Sequence, residues 1–357
     1  MKIAIVGIRG IPNNYGGFET LTEYLVNNLA KDFEITVYCS SNDIVTRLPE
    51  YNGAKLRYIP VSSHGFSGII YDSVALIHAL LNNDKVLFLG FGGGLIMPFL
   101  KRYREKLIVN IGGLDWKRSK WSKSEQMVIK LAEKNLIKYS ATVIADNVGM
   151  QQYLDKEYHK KSIFIAYGGD QAKRLPINEI FSAKYSFLKS EYAFTVTRIQ
   201  PDNNIEMMFN AFIKAQKLPL VIVGNWTNSA YGAIIKNKYS KQKNIILLDA
   251  IYDRNVLDVL RSNCKVYIHG HSAGGTNPSL VEAMYVGLPV FAYTSEFNEY
   301  TTEGKAIYFK DEVDLVEKIK NMENYPLKEI SNELKKIAYN KYTWEIVSNQ
   351  YKKVFLS

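Results

Sequence analysis

The residues best placed to do chemistry lie in one stretch, 269–293, with sequence HGHSAGGTNPSLVEAMYVGLPVFAY. Asn277 is a good helix cap, and Pro278 suits the first helical position, where its missing N–H costs nothing. The spacing predicts a helix over 279–286, stopped by Gly287 and followed by a buried strand from Leu288. Gly274, Gly275, Thr276, Asn277 and Ser279 would then present backbone N–H groups beside the positive end of the helix dipole, a seat for phosphate. Glu282 follows Pro278 by four residues and shares its helical face. A carboxylate beside a phosphate seat suits sugar hydroxyls, so the pattern describes a site for a nucleoside diphosphate.

Other residues gain meaning from position. Arg198, in TVTRIQPDNN, follows a predicted strand end and could grip a diphosphate bidentately or make a surface ion pair. Asn203 and Asn204 stand where a turn becomes a helix, and capping explains one of them. Asp115, in GGLDWKRSKW, could orient or deprotonate an acceptor hydroxyl, or pair with Lys117 or Arg118. Gly16 and Gly17, in Tyr15-Gly16-Gly17-Phe18-Glu19, open the first predicted helix and would let a phosphate or sugar approach the backbone; a plain strand-to-helix turn is the other reading. This first loop is no dinucleotide fingerprint, because Arg9 and Pro12 occupy two of its glycine places and no acid ends the second strand. His269 and His271 alternate on a strand end, but no third metal ligand is evident and polar loop roles suit them better. No Asp-x-Asp occurs, which disfavours a metal-held diphosphate and leaves the loop, the dipole and Arg198 to neutralise it.

The elements that must position these residues read as two series of strands alternating with helices, the first from Lys2 to about Ala166 and the second from about Ala193. Clear helices in the first series are expected near 18–30, 96–102 and 123–138. The pattern predicts two doubly wound parallel-sheet domains facing across a cleft, with the glycine loops beyond the carboxyl ends of the strands. Expected boundaries are 1–168 and 169–341, with a hinge in 166–188. A last helix over 342–357, carrying Trp344, Val347, Tyr351 and Phe355 on one stripe, is a candidate to pack back on the first domain.

At 357 residues and 47% hydrophobic, the chain is large enough for two globular domains. No apolar run reaches the roughly 18 residues of a spanning helix, and the start lacks a signal-peptide core, so a cytosolic chain with Cys39 and Cys264 reduced is expected. The net charge of +10 is concentrated in 99–138, where eleven Lys/Arg face four acids. Phe99, Tyr103, Trp116 and Trp121 interleave with them. Such a segment fits an anionic membrane surface or nucleic acid, and a solvated helix face equally.

Several stretches together resemble a known family. Gly16-Gly17-Phe18-Glu19, Arg198 in TRIQPDNN, and SLVEAM followed by GLPV are similar to the GT-B glycosyltransferases of family 4, retaining enzymes that use nucleotide-sugar donors. RGIPNNYGGFET, LDWKRSKW, IADNVGMQQYL, GNWTNSAYG and HGHSAGGTNPSLVEAM resemble bacterial rhamnosyltransferases of cell-wall or capsular polysaccharide synthesis. The resemblance implies a dTDP-L-rhamnose donor, with a UDP-hexose or a nucleotide-sugar epimerase activity as alternatives. It implies no cofactor or metal, and an undecaprenyl-diphosphate-linked GlcNAc or glucose acceptor at the inner membrane face. Through it, Glu282 takes the ribose, Arg198 and the amides around Thr276 and Ser279 the diphosphate, Ile251 and Tyr252 lie near the base, and Asp115 faces the acceptor. Where the family has an earlier glutamate this chain has Gly274, a place that His271 or backbone amides would fill. A nucleic-acid partner is not implied.

Overall fold

The computed structural model describes residues 1–12, 16–117 and 121–357, with the backbone alone at Asp115. Two compact units result, Met1–Tyr167 with Trp344–Ser357, and Gly168–Thr343.

The first unit is built on a sheet of β1 (Lys2–Val6), β2 (Glu34–Ser40), β3 (Glu50–Tyr51), β4 (Ala54–Ile59), β5 (Lys85–Leu89), β6 (Leu107–Asn110), β7 (Thr142–Ala145) and β8 (Ile163–Phe164), in the order 3-4-2-1-5-6-7-8. All pairs are parallel except β3 with β4. Ile3–Val6 and Val86–Leu89 are apolar at every position because both faces of a parallel sheet are covered. The strand order reverses beside β1, so the loops after β1 and β5 flank the first unit's switch point.

Four helices follow these strands: α1 (Gly17–Leu29), α2 (Gly65–Asn82), α3 (Lys123–Lys138) and α4 (Val148–Tyr158). Two sequence expectations change. The predicted helix at 96–102 is instead a pair of 3-10 stretches, Gly92–Phe99 and Lys101–Lys106, since three glycines and Pro98 do not sustain an α-helix. And α2 is long and apolar enough, by length and composition, to cross a membrane. Gly68, Tyr71, Ala75, Leu76, Ala79 and Leu80 are nevertheless buried, and the helix packs against the first unit's sheet.

The second unit's sheet comprises β9 (Ala193–Val196), β10 (Leu220–Val223), β11 (Ile245–Leu248), β12 (Val266–His269), β13 (Val290–Tyr293) and β14 (Ile307–Phe309), all parallel, in the order 11-10-9-12-13-14. Its helices are α5 (Glu179–Lys184), α6 (Ile205–Ala215), α7 (Ala230–Tyr239), α8 (Arg254–Ser262), α9 (Pro278–Val286), α10 (Glu296–Thr302), α11 (Glu312–Lys320) and α12 (Leu327–Lys341). Here the order reverses between β9 and β12. The loops that follow those two strands carry Arg198 and the 270–277 stretch, so the fold brings the sequence candidates to one switch point.

The last helix, α13 (Trp344–Leu356), belongs to the first unit. Trp344, Val347, Tyr351 and Phe355 are all buried, Trp344 stacks on Tyr24 with ring centroids 4.4 Å apart, and Asn110 donates to the Tyr351 hydroxyl at 2.9 Å.

Candidate functional site

In the second unit, local chemistry explains the start of α9. Asn277 is the N-cap, its side-chain oxygen accepts from the Ser279 amide at 3.0 Å, Pro278 opens the helix, and Gly287 ends it with φ 80°. One predicted donor is thereby withdrawn. The Ser279 amide and hydroxyl both bond to Asn277, and the Leu280 and Val281 amides bond to its carbonyl. The first turn's N–H groups are thus committed within the helix start. The amides of Gly274, Gly275 and Asn277 donate to no protein group among the described residues, so the phosphate seat shifts from the helix turn back into the loop. No acid stands in the first turn of α9, which keeps its dipole end positive.

The loops after β9 and β12 are stitched together. Ser272 bonds the Asp202 carbonyl through its amide (3.1 Å) and hydroxyl (2.7 Å), His271 Nδ1 meets Asn203 Oδ1 at 2.5 Å, and Asn204 donates to the Gly270 carbonyl at 2.9 Å. Asn298, from α10, donates to the His271 carbonyl at 2.8 Å. The capping role expected for Asn203 or Asn204 is therefore corrected. Asn204 sits at the start of α6 in the left-handed region with no side-chain cap bond, and Asn203 donates to the Arg198 carbonyl at 2.6 Å. Both side chains fix loops, and Arg198 is carried exposed on the result.

Gly274 has φ 111°, and a Cβ there would lie 3.2 Å from His271 Nε2. The imidazole thus occupies the space beside the glycine. His269 is buried, its Nε2 has no hydrogen-bond partner, and burial followed by the His271 charge pushes its pKa down to about 3, so it is neutral at pH 7. The rings of His269 and His271 are 6.0 Å apart, and among the described residues no group of three or more His, Cys, Asp or Glu could hold a metal ion. Ile251 and the exposed Tyr252 lie between β11 and α8, whose cap is Asp253.

Glu282 is not a bare carboxylate. Gln171 Nε2 donates to one oxygen at 2.6 Å and Arg261 Nη2 to the other at 2.5 Å. Arg261, on α8, is 2% exposed and also meets Asp258 at 3.1 Å. Burial raises the Asp258 pKa, opposed by Arg261. A carboxylate has about four acceptor sites, so two remain for hydroxyls while Arg261 and Gln171 fix its aim. Neither partner was found in the sequence.

In the first unit, Gly16 has φ 132°, and a Cβ there would lie 1.8 Å from Glu19 Oε2. The Glu19 side chain folds back on the start of α1 and accepts the Arg9 amide at 3.2 Å. This carboxylate already answers the helix dipole, which disfavours a phosphate beside Gly16 and Gly17. Nearby, Arg9 Nη2 meets His64 Nε2 at 2.6 Å, and His64 Nδ1 lies 3.2 Å from Asp43. Burial raises the Asp43 pKa, but hydrogen bonds from Ser63, Ser62 and Ser40 outweigh it and hold the carboxyl well below the usual range. Asp72, half-buried on α2, stands against the glycine loop; a Cβ at Gly92 would lie 2.1 Å from its Oδ2, and burial pushes its carboxyl up to about 8. Neither group was anticipated.

The Asp115 backbone lies in a short 3-10 turn, Asp115–Lys117; its side chain, together with Tyr15, Arg118 and Lys120, falls outside the described residues. Trp116, expected as an interfacial aromatic, instead donates to Tyr153, which with Tyr158 bonds the buried Glu133 at 2.6 and 2.7 Å. Phe99 is exposed.

Comparison with known proteins follows this division. Residues 1–170 match a domain of unknown function, DUF1972, and residues 177–343 match the family described as Glycosyl transferases group 1. No curated protein matches the chain. Among solved structures, a sucrose-phosphate synthase from Thermosynechococcus elongatus is 15% identical, with TM-score 0.79 over 99% of this chain and 98% of that one. Anabaena Alr3699/HepE in complex with UDP is 12% identical, with TM-score 0.75 over 99% of both chains. The E. coli structure titled trehalose-6-phosphate, bound with UDP-2-fluoro glucose, is 10% identical, with TM-score 0.73 over 99% of both. At such identities the likeness is one of fold, and the fold is GT-B.

Proposed function

We propose that this chain, a GT-B protein whose carboxyl-terminal half is a group 1 glycosyltransferase domain, moves a sugar from a nucleoside-diphosphate donor to a lipid-diphosphate-linked sugar. The observation that carries the reading is the second unit's switch point, where loop amides with no protein acceptor, an exposed arginine and an anchored carboxylate converge. The diphosphate would lie on the 274–277 amides with Arg198 beside it, the ribose on Glu282, and the base near Ile251 and Tyr252. His271, next to Gly274, would contact the donor sugar. The leaving diphosphate would accept the proton of the incoming hydroxyl on the same face, giving retention with the protein as an electrostatic stabiliser and no metal required. Asp115 and the loops after β1 and β5 would serve the acceptor.

L-Rhamnose from dTDP-L-rhamnose is the donor we favour, on the resemblance of the longer motifs. A UDP-hexose is the second reading, supported by the UDP and UDP-2-fluoro glucose bound in the similar structures. The acceptor would be GlcNAc or glucose on undecaprenyl diphosphate, approached from the cytoplasmic face of the membrane during cell-wall or capsular polysaccharide synthesis. A docking face supports this. α2 and α3 both pack on the 92–99 stretch; Phe66, Ile70, Leu81, Phe99, Met127 and Leu131 are exposed on these elements, and α3 also carries Lys123, Lys130, Lys134 and Lys138. Exposed apolar side chains on a layer that also carries lysines suit an anionic bilayer.

Incubating the protein with a panel of nucleotide sugars and a lipid-diphosphate-GlcNAc acceptor, then weighing the product, tests the reading. A gain of one deoxyhexose supports rhamnose. A gain of one hexose transfers the proposal to the UDP-sugar donor, and donor conversion without any change in the lipid would replace transfer by epimerisation.

A further inference from the structure

We propose that the first unit holds a second anion site, built for a phosphate group and separate from the donor seat. It lies on one face of the sheet, toward the amino ends of β1, β2 and β4. Strand register assembles it. Thr36 pairs with Lys55 and Tyr38 with Arg57, so by the two-residue period all four side chains share a face. Lys2, at the start of β1, adds a third cation. The last turns of α2 close the other side with His78 and Asn82, and Tyr38 and His78 are joined at 2.7 Å. The half-open pocket measures about 250 Å³. That is below the roughly 300–1,000 Å³ of sites for drug-sized ligands and suits a phosphate with a small substituent.

Of the lining residues, Lys2, Lys55 and Arg57 face one carboxylate, Glu34, while Glu50 is the cross-strand neighbour of Lys55 and Asp84 accepts from the Lys2 amide at 2.7 Å. Among the described residues, no ion pair or hydrogen bond engages the head group of any of the three cations. Burial, reinforced by Arg57, pushes the His78 pKa down, so the imidazole adds no positive charge of its own at neutral pH but keeps a polar nitrogen in the wall. Arginine offers a bidentate fork and lysine a point charge, the pairing suited to phosphate oxygens. Tyr38, His78 and Asn82 add groups for the remaining oxygens. None of this depends on Glu282, Arg198 or the loop after β12, which belong to the other unit. The same chemistry would read a free phosphorylated metabolite or the phosphate of a lipid headgroup.

The chain has five histidines, so the His78 ring is a tractable NMR reporter, assigned with H78Q. The full-length protein is titrated with inorganic phosphate at constant ionic strength, alongside R198A and K55A/R57A, with circular dichroism to check folding. R57Q alone is the milder second variant. The His78 resonance should shift saturably in the wild type and in R198A. Affinity should fall at least tenfold in K55A/R57A and less in R57Q. An unmoved His78, or an equal response in K55A/R57A, overturns the site. A parallel titration with water-soluble dihexanoyl phosphatidic acid separates the sources. A shift at similar concentrations assigns the site to lipid as well as free phosphate, and a response to inorganic phosphate alone assigns it to a soluble ligand.

Discussion

The helix that opens each unit's switch-point loop differs in what it does with its positive end. At α9 the first turn has no acid, its own amides are satisfied by Asn277, and the loop just before it keeps amides with no protein acceptor. At α1 a glycine also precedes the helix, but Glu19 folds back and fills the place. The two starts share glycines and a strand-loop-helix path, and only one can welcome a diphosphate. A carboxylate within the first turn is enough to turn an anion seat into a neutral one. The unit that would bind the donor is thus told from its counterpart by one side chain.

Glu282 should be the most sensitive position. E282A leaves Arg261 buried with only Asp258 opposite, and should cost about 3–5 kcal/mol of stability, seen in denaturant unfolding, as well as abolishing transfer. E282Q retains a hydrogen-bonding side chain toward Arg261 and Gln171, so it should stay folded while losing donor affinity. If E282Q binds nucleoside diphosphate like the wild type by calorimetry, the ribose role of Glu282 is wrong and its place is structural.

R198A comes next. Loss of one charge-assisted contact, about 1.5–3 kcal/mol, should weaken nucleoside diphosphate binding tenfold or more without moving the unfolding midpoint. Unchanged affinity would place the diphosphate elsewhere.

In the first unit, Asp72 gives a pH signature. Its folded-state pKa, about 8, lies above that of the unfolded chain. The native state therefore holds a proton that the unfolded state has released, and stability should fall as pH rises from about 4 through 8, by up to about 1.4 kcal/mol per pH unit. D72N should flatten that slope, and an identical slope in D72N would remove Asp72 as its source. The smallest effect belongs to E19Q. Removing the charge should cost about 0.3–1 kcal/mol through the dipole, measured by thermal unfolding, and should make the start of α1 more tolerant of anions. A gain in stability would show that Glu19 is held there against its own preference.

Much of this was legible because it is local. Asn277, Pro278 and Gly287 announce α9 through cap chemistry within a few turns, the alternation of buried strands with helices announced two doubly wound domains, and the resemblance of the motifs supplied the GT-B class. Arg261 was not legible, since its meeting with Glu282 depends on how α8 packs on α9. Asn203 and Asn204 look like caps in a linear reading and become struts only when the loops after β9 and β12 lie side by side. The 92–106 stretch misled because its apolar residues keep a helical period while its glycines and Pro98 tighten the backbone. Asp72 gave no signal, being one acid in an otherwise apolar helix.

The return of α13 to the first unit has a consequence for the order of events during synthesis. Strand β1 emerges early, yet the surface formed by Tyr24 and Asn110 finds Trp344 and Tyr351 only after the whole intervening unit has been translated. The middle of the chain can therefore close its core while the older amino-terminal half still waits for its last helix. A chain ended at Thr343 would carry a complete second unit attached to a first unit with an apolar seam open to water.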